Sequence, residues 1–87
     1  MTKRELIADL NPEAIVWDDF DDAIIGYDMR EWRVIYDQAK MVDILMERDG
    51  MTYEDAIDYL GFNVFCAYVG DYTPINVHIF NEDDIYE

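Results

Sequence analysis

The sequence predicts a small α+β domain with a three-stranded, largely antiparallel sheet packed against helices. Three observations predict it. Runs rich in β-branched and aromatic residues stand within 23–37 and at 75–80. Apolar residues recur at helical spacing in the stretches around them. Each helical stretch also opens on a residue suited to capping free amides. At 87 residues there is room for one domain, and a chain this short buries only about 60% of its unfolded surface. Its core must therefore be dense, and a composition that is 52% apolar and 15% aromatic supplies the material.

The first 17 residues form a helical N-terminal region. Thr2 and Glu5 fit a capping box, after which Leu6, Ile7 and Leu10 share one face. This helix should stop before Pro12. Asn11 then offers an N-cap with Pro12 at the first helical position, which predicts a second, short helix reaching Trp17. Residues 23–37 read as a β-hairpin, AIIGYD and RVIYD joined through MREW.

Residues 38–69 read as a helix–turn–helix. Asp37 can cap a helix from Gln38 to about Asp49, with Met41, Val42, Ile44 and Leu45 as its apolar stripe and Gly50 as its stop. Thr52 and Asp55 open the next helix, whose stripe is Ala56, Ile57, Leu60, Val64, Ala67 and Tyr68. Gly61 weakens that helix by up to ~1 kcal/mol relative to Ala, a sign of close packing. Gly70 ends it. A turn at Thr73-Pro74 leads to a strand over 75–80, and the acidic tail 81–87 is expected to fray.

Charge is the strongest functional clue. The chain carries 21 acidic and 6 basic residues, a net charge of −15. All six cations lie at or before Arg48, and residues 49–87 hold nine carboxylates with no Lys or Arg. Such a surface repels phosphates, which argues against direct binding to nucleic acid or to an anionic membrane. No segment approaches the ~18 consecutive apolar residues of a membrane span, and MTKRELIADL lacks the apolar centre of a secretory signal. The lone Cys66 cannot form an internal disulfide, which suits a reducing compartment.

The densest anionic run is WDDFDD, 17–22. As a calcium loop it fails, because a required ligand position falls on Phe20 or Ala23 and the obligatory glycine is missing. What remains is a solvated turn, an acidic patch for a partner, or loose association with Ca²⁺ or Mg²⁺. Glu54, Asp55 and Asp58 lie on one side of a helix at spacings of three and four. Duplex phosphates repeat every ~3.4 Å along each strand. A helix rising ~1.5 Å per residue sets carboxylates four apart at about 6 Å, so carboxylates from several elements can imitate a phosphate row. Helix capping is the plainer account of the same residues. The partner-binding candidates are Asp18, Asp19, Asp21, Asp22, Glu54, Asp55 and Asp58.

Catalysis finds little support. The chain has no serine, which excludes a Ser-His-Asp arrangement. Cys66 and His78 would form a nucleophile pair only if the fold joined them, and a buried structural thiol is the expected state of Cys66. No glycine-rich phosphate loop or zinc cluster is present. No enzymatic activity, cofactor or metal is expected. The loop Gly70–Pro74, with Tyr72 beside Asp71, suits either an exposed aromatic contact or an ordinary helix-to-strand turn.

The stretches DDAIIGY (21–27), VIYD (34–37), ILMERDGMTYEDA (44–56) and FNVFCAYVGDYTP (62–74) resemble a family of small bacteriophage and environmental viral proteins with no assigned activity. The resemblance covers most of the chain. It implies a helix–Gly–helix followed by a Thr-Pro strand, and a phage-type accessory protein acting in the cytoplasm of an infected bacterium. The acidity of Asp18–Asp22 and of the tail exceeds the family pattern. The expected function is docking onto a basic, nucleic-acid-binding surface of a host protein. The alternatives are a homo-oligomeric structural protein whose acidity serves solubility, and adaptation to a saline habitat.

Overall fold

Each of the three α-helices in the computed structural model, which describes residues 1–80, begins where a short polar side chain meets its free amides. Helix α1 runs Lys3–Leu10, and Thr2 Oγ1 accepts from the Glu5 N–H at 3.1 Å while donating to the Glu5 carboxylate at 3.2 Å. Helix α2 spans Gln38–Asp49 and is capped by Asp37, whose carboxylate accepts from the Ala39 N–H at 3.0 Å. It stops at Gly50, which takes φ 69°. A side chain in that left-handed conformation would cost roughly 1–2 kcal/mol. Helix α3 spans Tyr53–Leu60 behind Thr52, whose hydroxyl accepts from the Asp55 N–H at 3.1 Å. The acidic tail expected over 81–87 lies outside the described residues.

The sheet has three strands in the order β1-β2-β3: Ile24–Tyr27, Val34–Asp37 and Ile75–Val77. The hairpin is antiparallel as expected, pairing Ile24 with Tyr36 and Tyr27 with Val34, with a bulge between Ile24 and Gly26. Strand β3 joins β2 in parallel, Ile35 opposite Ile75 and Asp37 opposite Val77. The sheet is thus mixed, which corrects the largely antiparallel reading. The physical reason is the connection. Asp37 ends β2 and caps α2 with no loop between them, so α2 and α3 become the crossover that a parallel pair requires.

Two further expectations are corrected. No helix forms over 11–17. Asn11 does bind the Glu13 N–H through Oδ1 at 3.0 Å, but the turn closes once, Ala14 N–H to Asn11 C=O at 3.0 Å, and stops. The β-branched pair Ile15-Val16 then has no regular secondary structure, and the Trp17 N–H donates to the Tyr36 hydroxyl at 2.8 Å. The other is α3, which does not continue to Val69: at Gly61 it loosens into a π-type turn, Gly61–Phe65. A Cβ on Gly61 would meet nothing within 4 Å, so close packing is not why glycine stands there. Beyond these two, strand β3 ends at Val77, short of the expected 80.

One apolar core unites these elements. Ile7 of α1, Ile24 of β1, Val34 and Tyr36 of β2, Met41, Val42 and Leu45 of α2, and Ala56 and Leu60 of α3 are all buried in it. Phe20, from the acidic run, is buried there too. Among the described residues no helix is long and apolar enough to cross a membrane.

Candidate functional site

Phe20 decides the shape of the acidic run. Its ring is drawn into the core, 5% exposed, while its aspartate neighbours must stay in water. The chain meets both demands by turning sharply. Asp19 adopts φ 71°, a conformation that aspartate tolerates better than most residues. Asp21–Ala23 then form a single 3₁₀ turn leading straight into β1.

Two arginines pin this turn. The Arg4 Nε donates to both carboxylate oxygens of Asp21, at 2.8 and 2.7 Å, and Nη2 reaches Asp18 at 3.1 Å. These bonds, that to Asp21 foremost, raise the Arg4 pKa above its ordinary value. From α2, Arg48 Nη1 donates to the Asp19 carbonyl at 2.8 Å, and its guanidinium lies 5.5 Å from the centre of the Phe20 ring. Arg48 also bonds Asp49 at 3.0 and 3.2 Å, which raises the arginine's pKa and lowers that of the carboxyl.

The result is an open depression of about 850 Å³ between the run and α2, lined by Arg4, Asp18, Asp19, Asp21, Asp22, Ile44, Glu47 and Arg48. Five carboxylates face two guanidiniums there, an excess of three negative charges. Asp18, Asp19 and Asp22 are exposed. Among the described residues no group of three His, Cys, Asp or Glu side chains is placed to hold a metal ion. The arrangement suits a broad positively charged surface: Arg4 holds the Asp18 and Asp21 carboxylates on the turn, and Ile44 is the one apolar side chain lining the depression.

The structure gathers four of the seven candidate residues and leaves three elsewhere. Glu54, Asp55 and Asp58 are exposed on α3, and none lines the depression. Helix α2 separates the two groups. Its Ile44, Glu47 and Arg48 meet the acidic run, whereas Ala39, Val42 and Asp43 border the groove it shares with Tyr53 and Ile57 of α3. A single continuous row of carboxylates is therefore not formed by the seven. No Lys or Arg pairs with Glu54, Asp55 or Asp58 among the described residues.

Cys66 is exposed, which corrects the expectation of a buried thiol. It stands directly after the π-type turn Gly61–Phe65 and lies off the stripe of Ala56, Leu60 and Val64 that enters the core. His78 lies on the surface with its ring edge-on to Phe80, 6.1 Å between centres. Sequence reasoning missed Arg4, Glu47 and Arg48 as parts of the site. The bonds by which Arg4 and Arg48 reach the run span between 14 and 29 residues of chain, and no local pattern signals such pairs.

Neither the family models, nor the curated proteins, nor the solved structures contain a match to this chain.

Proposed function

We propose that the protein is an acidic protein-binding module, a phage-type accessory factor that docks onto a basic surface of a host protein, one that ordinarily holds nucleic acid. The observation that carries this reading is the depression at Asp18–Asp22, where carboxylates outnumber guanidiniums on a turn held rigid by Arg4 and Arg48. Rigid, pre-placed charge speeds encounter with an oppositely charged surface and fixes the register of docking. The net charge of −15 extends the same field over the whole molecule. The reading takes the encounter to occur in the cytoplasm of an infected bacterium, as the resemblance to phage proteins implies.

The test is capture of partners from bacterial lysate at low salt, followed by elution with a salt gradient. The expected partner elutes early and is retained less by a variant with Asp18→Asn, Asp19→Asn and Asp22→Asn. Equal retention of both forms would remove the depression from the interface.

A homo-oligomer is the second reading, and Phe62 favours it: this aromatic side chain is 86% exposed. Light scattering at high protein concentration distinguishes the two, since docking by charge predicts a monomer and a seam through Phe62 predicts an oligomer that Phe62→Ser dissolves.

A further inference from the structure

On the hairpin side of the molecule, two segments distant in sequence line another open cleft. The loop between β1 and β2 contributes Arg30, Glu31 and Trp32, and the segment leading to β3 contributes Tyr68, Asp71 and Tyr72, around a volume of about 460 Å³. Three aromatic side chains and two carboxylates in one cleft form a recognisable chemistry. Aromatic faces attract cations through the ring quadrupole, and neighbouring carboxylates add direct charge.

The loop is built to hold its aromatic in place. Asp28 accepts from the Arg30 and Glu31 amides, both at 3.1 Å, and its own N–H donates to the Arg33 carbonyl at 2.8 Å. Trp32 takes φ 61°, a left-handed conformation that a bulky residue rarely adopts. Its ring lies against Tyr27, 5.4 Å between centres at 32°. Across the cleft the Tyr68 hydroxyl donates to Asp71 at 3.3 Å, and Thr73 Oγ1 ties the loop by accepting from the Val69 N–H at 3.0 Å. Tyr68 is 76% exposed, so its ring is open to a ligand.

The carboxylates differ in how far they are already used. Glu31 faces the Arg33 Nε at 3.5 Å. Asp71 accepts from Tyr68 and has no Lys or Arg partner among the described residues. Arg30 is the one cation lining the cleft, against two anions.

We propose that this cleft is a binding site for a cationic side chain of the partner, an arginine guanidinium before a lysine ammonium. A planar guanidinium stacks on aromatic rings and bonds a carboxylate through two donors at once, which an ammonium does not. The proposal rests on the reading of the protein as a binder of basic surfaces and names a point at which one residue of such a surface is gripped. Asp71 is the charge partner, and Trp32, Tyr68 and Tyr72 are the walls. Arg30 opposes the ligand, so its removal strengthens binding.

Titration of the protein with tri-arginine peptide at low salt, followed by nuclear magnetic resonance of the Trp32 indole N–H and the backbone amides, tests this. The expected result is a saturable shift at Trp32, Tyr68, Asp71 and Tyr72. Tyr68→Ala, at an exposed position that the fold does not need, should weaken that binding at least about fivefold. Arg30→Gln should tighten it about twofold or more by removing a like charge. Weakening on Arg30→Gln would mean that the cleft takes an anion, and overturns the proposal. Shifts confined to Asp18–Asp22 or to α3, with Trp32 still, overturn the cleft while leaving the acidic docking reading intact. Absence of saturable binding anywhere on the molecule overturns both.

Discussion

The buried hydroxyl of Tyr36 joins the core to the segment ahead of the acidic run. It accepts from the Trp17 N–H at 2.8 Å, and its side chain is fully buried in the core. Burial pushes the phenol up from 10.0 to about 12, against the opposing pull of the Trp17 amide. The folded pKa is thus above the unfolded one, so the stabilisation is complete below pH 10 and fades as pH rises toward 12. Tyr36→Phe should lose about 1 kcal/mol at neutral pH, because the Trp17 N–H loses its acceptor. The variant should also lack this alkaline limb, as chemical denaturation at pH 8 and 11.5 will show. Asp28 works in the opposite direction. Hydrogen bonds from the Arg30 and Glu31 amides, with Arg33 nearby, hold its carboxyl below the ordinary 3.8. Its contribution is present above that value and disappears as the pH falls below it. Relief of general repulsion acts with the other sign in the same range. The difference in melting temperature between wild type and Asp28→Asn should therefore shrink as the pH is lowered from 5 toward 3.

Among the elements, the legible parts were those specified by residues close in sequence. Thr2, Asp37 and Thr52 cap the helices they were expected to cap, and Gly50 ends α2 in the left-handed conformation its position implied. The hairpin followed from two β-rich runs. What failed depended on distant contacts. The Asn11-Pro12 start is locally sound, yet Tyr36, 19 residues on from Trp17, bonds the end of the following segment and no helix forms. The apolar run around Cys66 predicts a buried thiol, but the residue lies off the stripe of Ala56, Leu60 and Val64 and is exposed just after the π-type turn. The acidic run was legible as charge, whereas its fixing by Arg4 and Arg48 was not. Gly61 offers a direct check. It has helical angles, φ −60° and ψ −42°, and open space where a Cβ would stand. Gly61→Ala should raise stability by about 0.5–1 kcal/mol in thermal or urea unfolding. Loss of stability instead would mean that the π-type turn requires glycine.

For the whole molecule, 21 carboxylates against six cations make repulsion the dominant long-range term. Arg4 and Arg48 offset it at one turn only, and exposed pairs of this kind contribute little. Added salt should therefore raise the melting temperature between about 0.02 and 0.5 M, since screening weakens repulsion more than it weakens these few pairs. The same field is what a basic partner would meet, and the tightness of that encounter should follow ionic strength. The most direct measurement is the dissociation constant of the captured partner at several salt concentrations, for the wild type and for the triple variant at Asp18, Asp19 and Asp22. The account predicts that affinity falls steeply with salt and that the triple variant shows both weaker binding and a shallower slope. Affinity that stays level across the salt range, or a triple variant that matches the wild type, would contradict it.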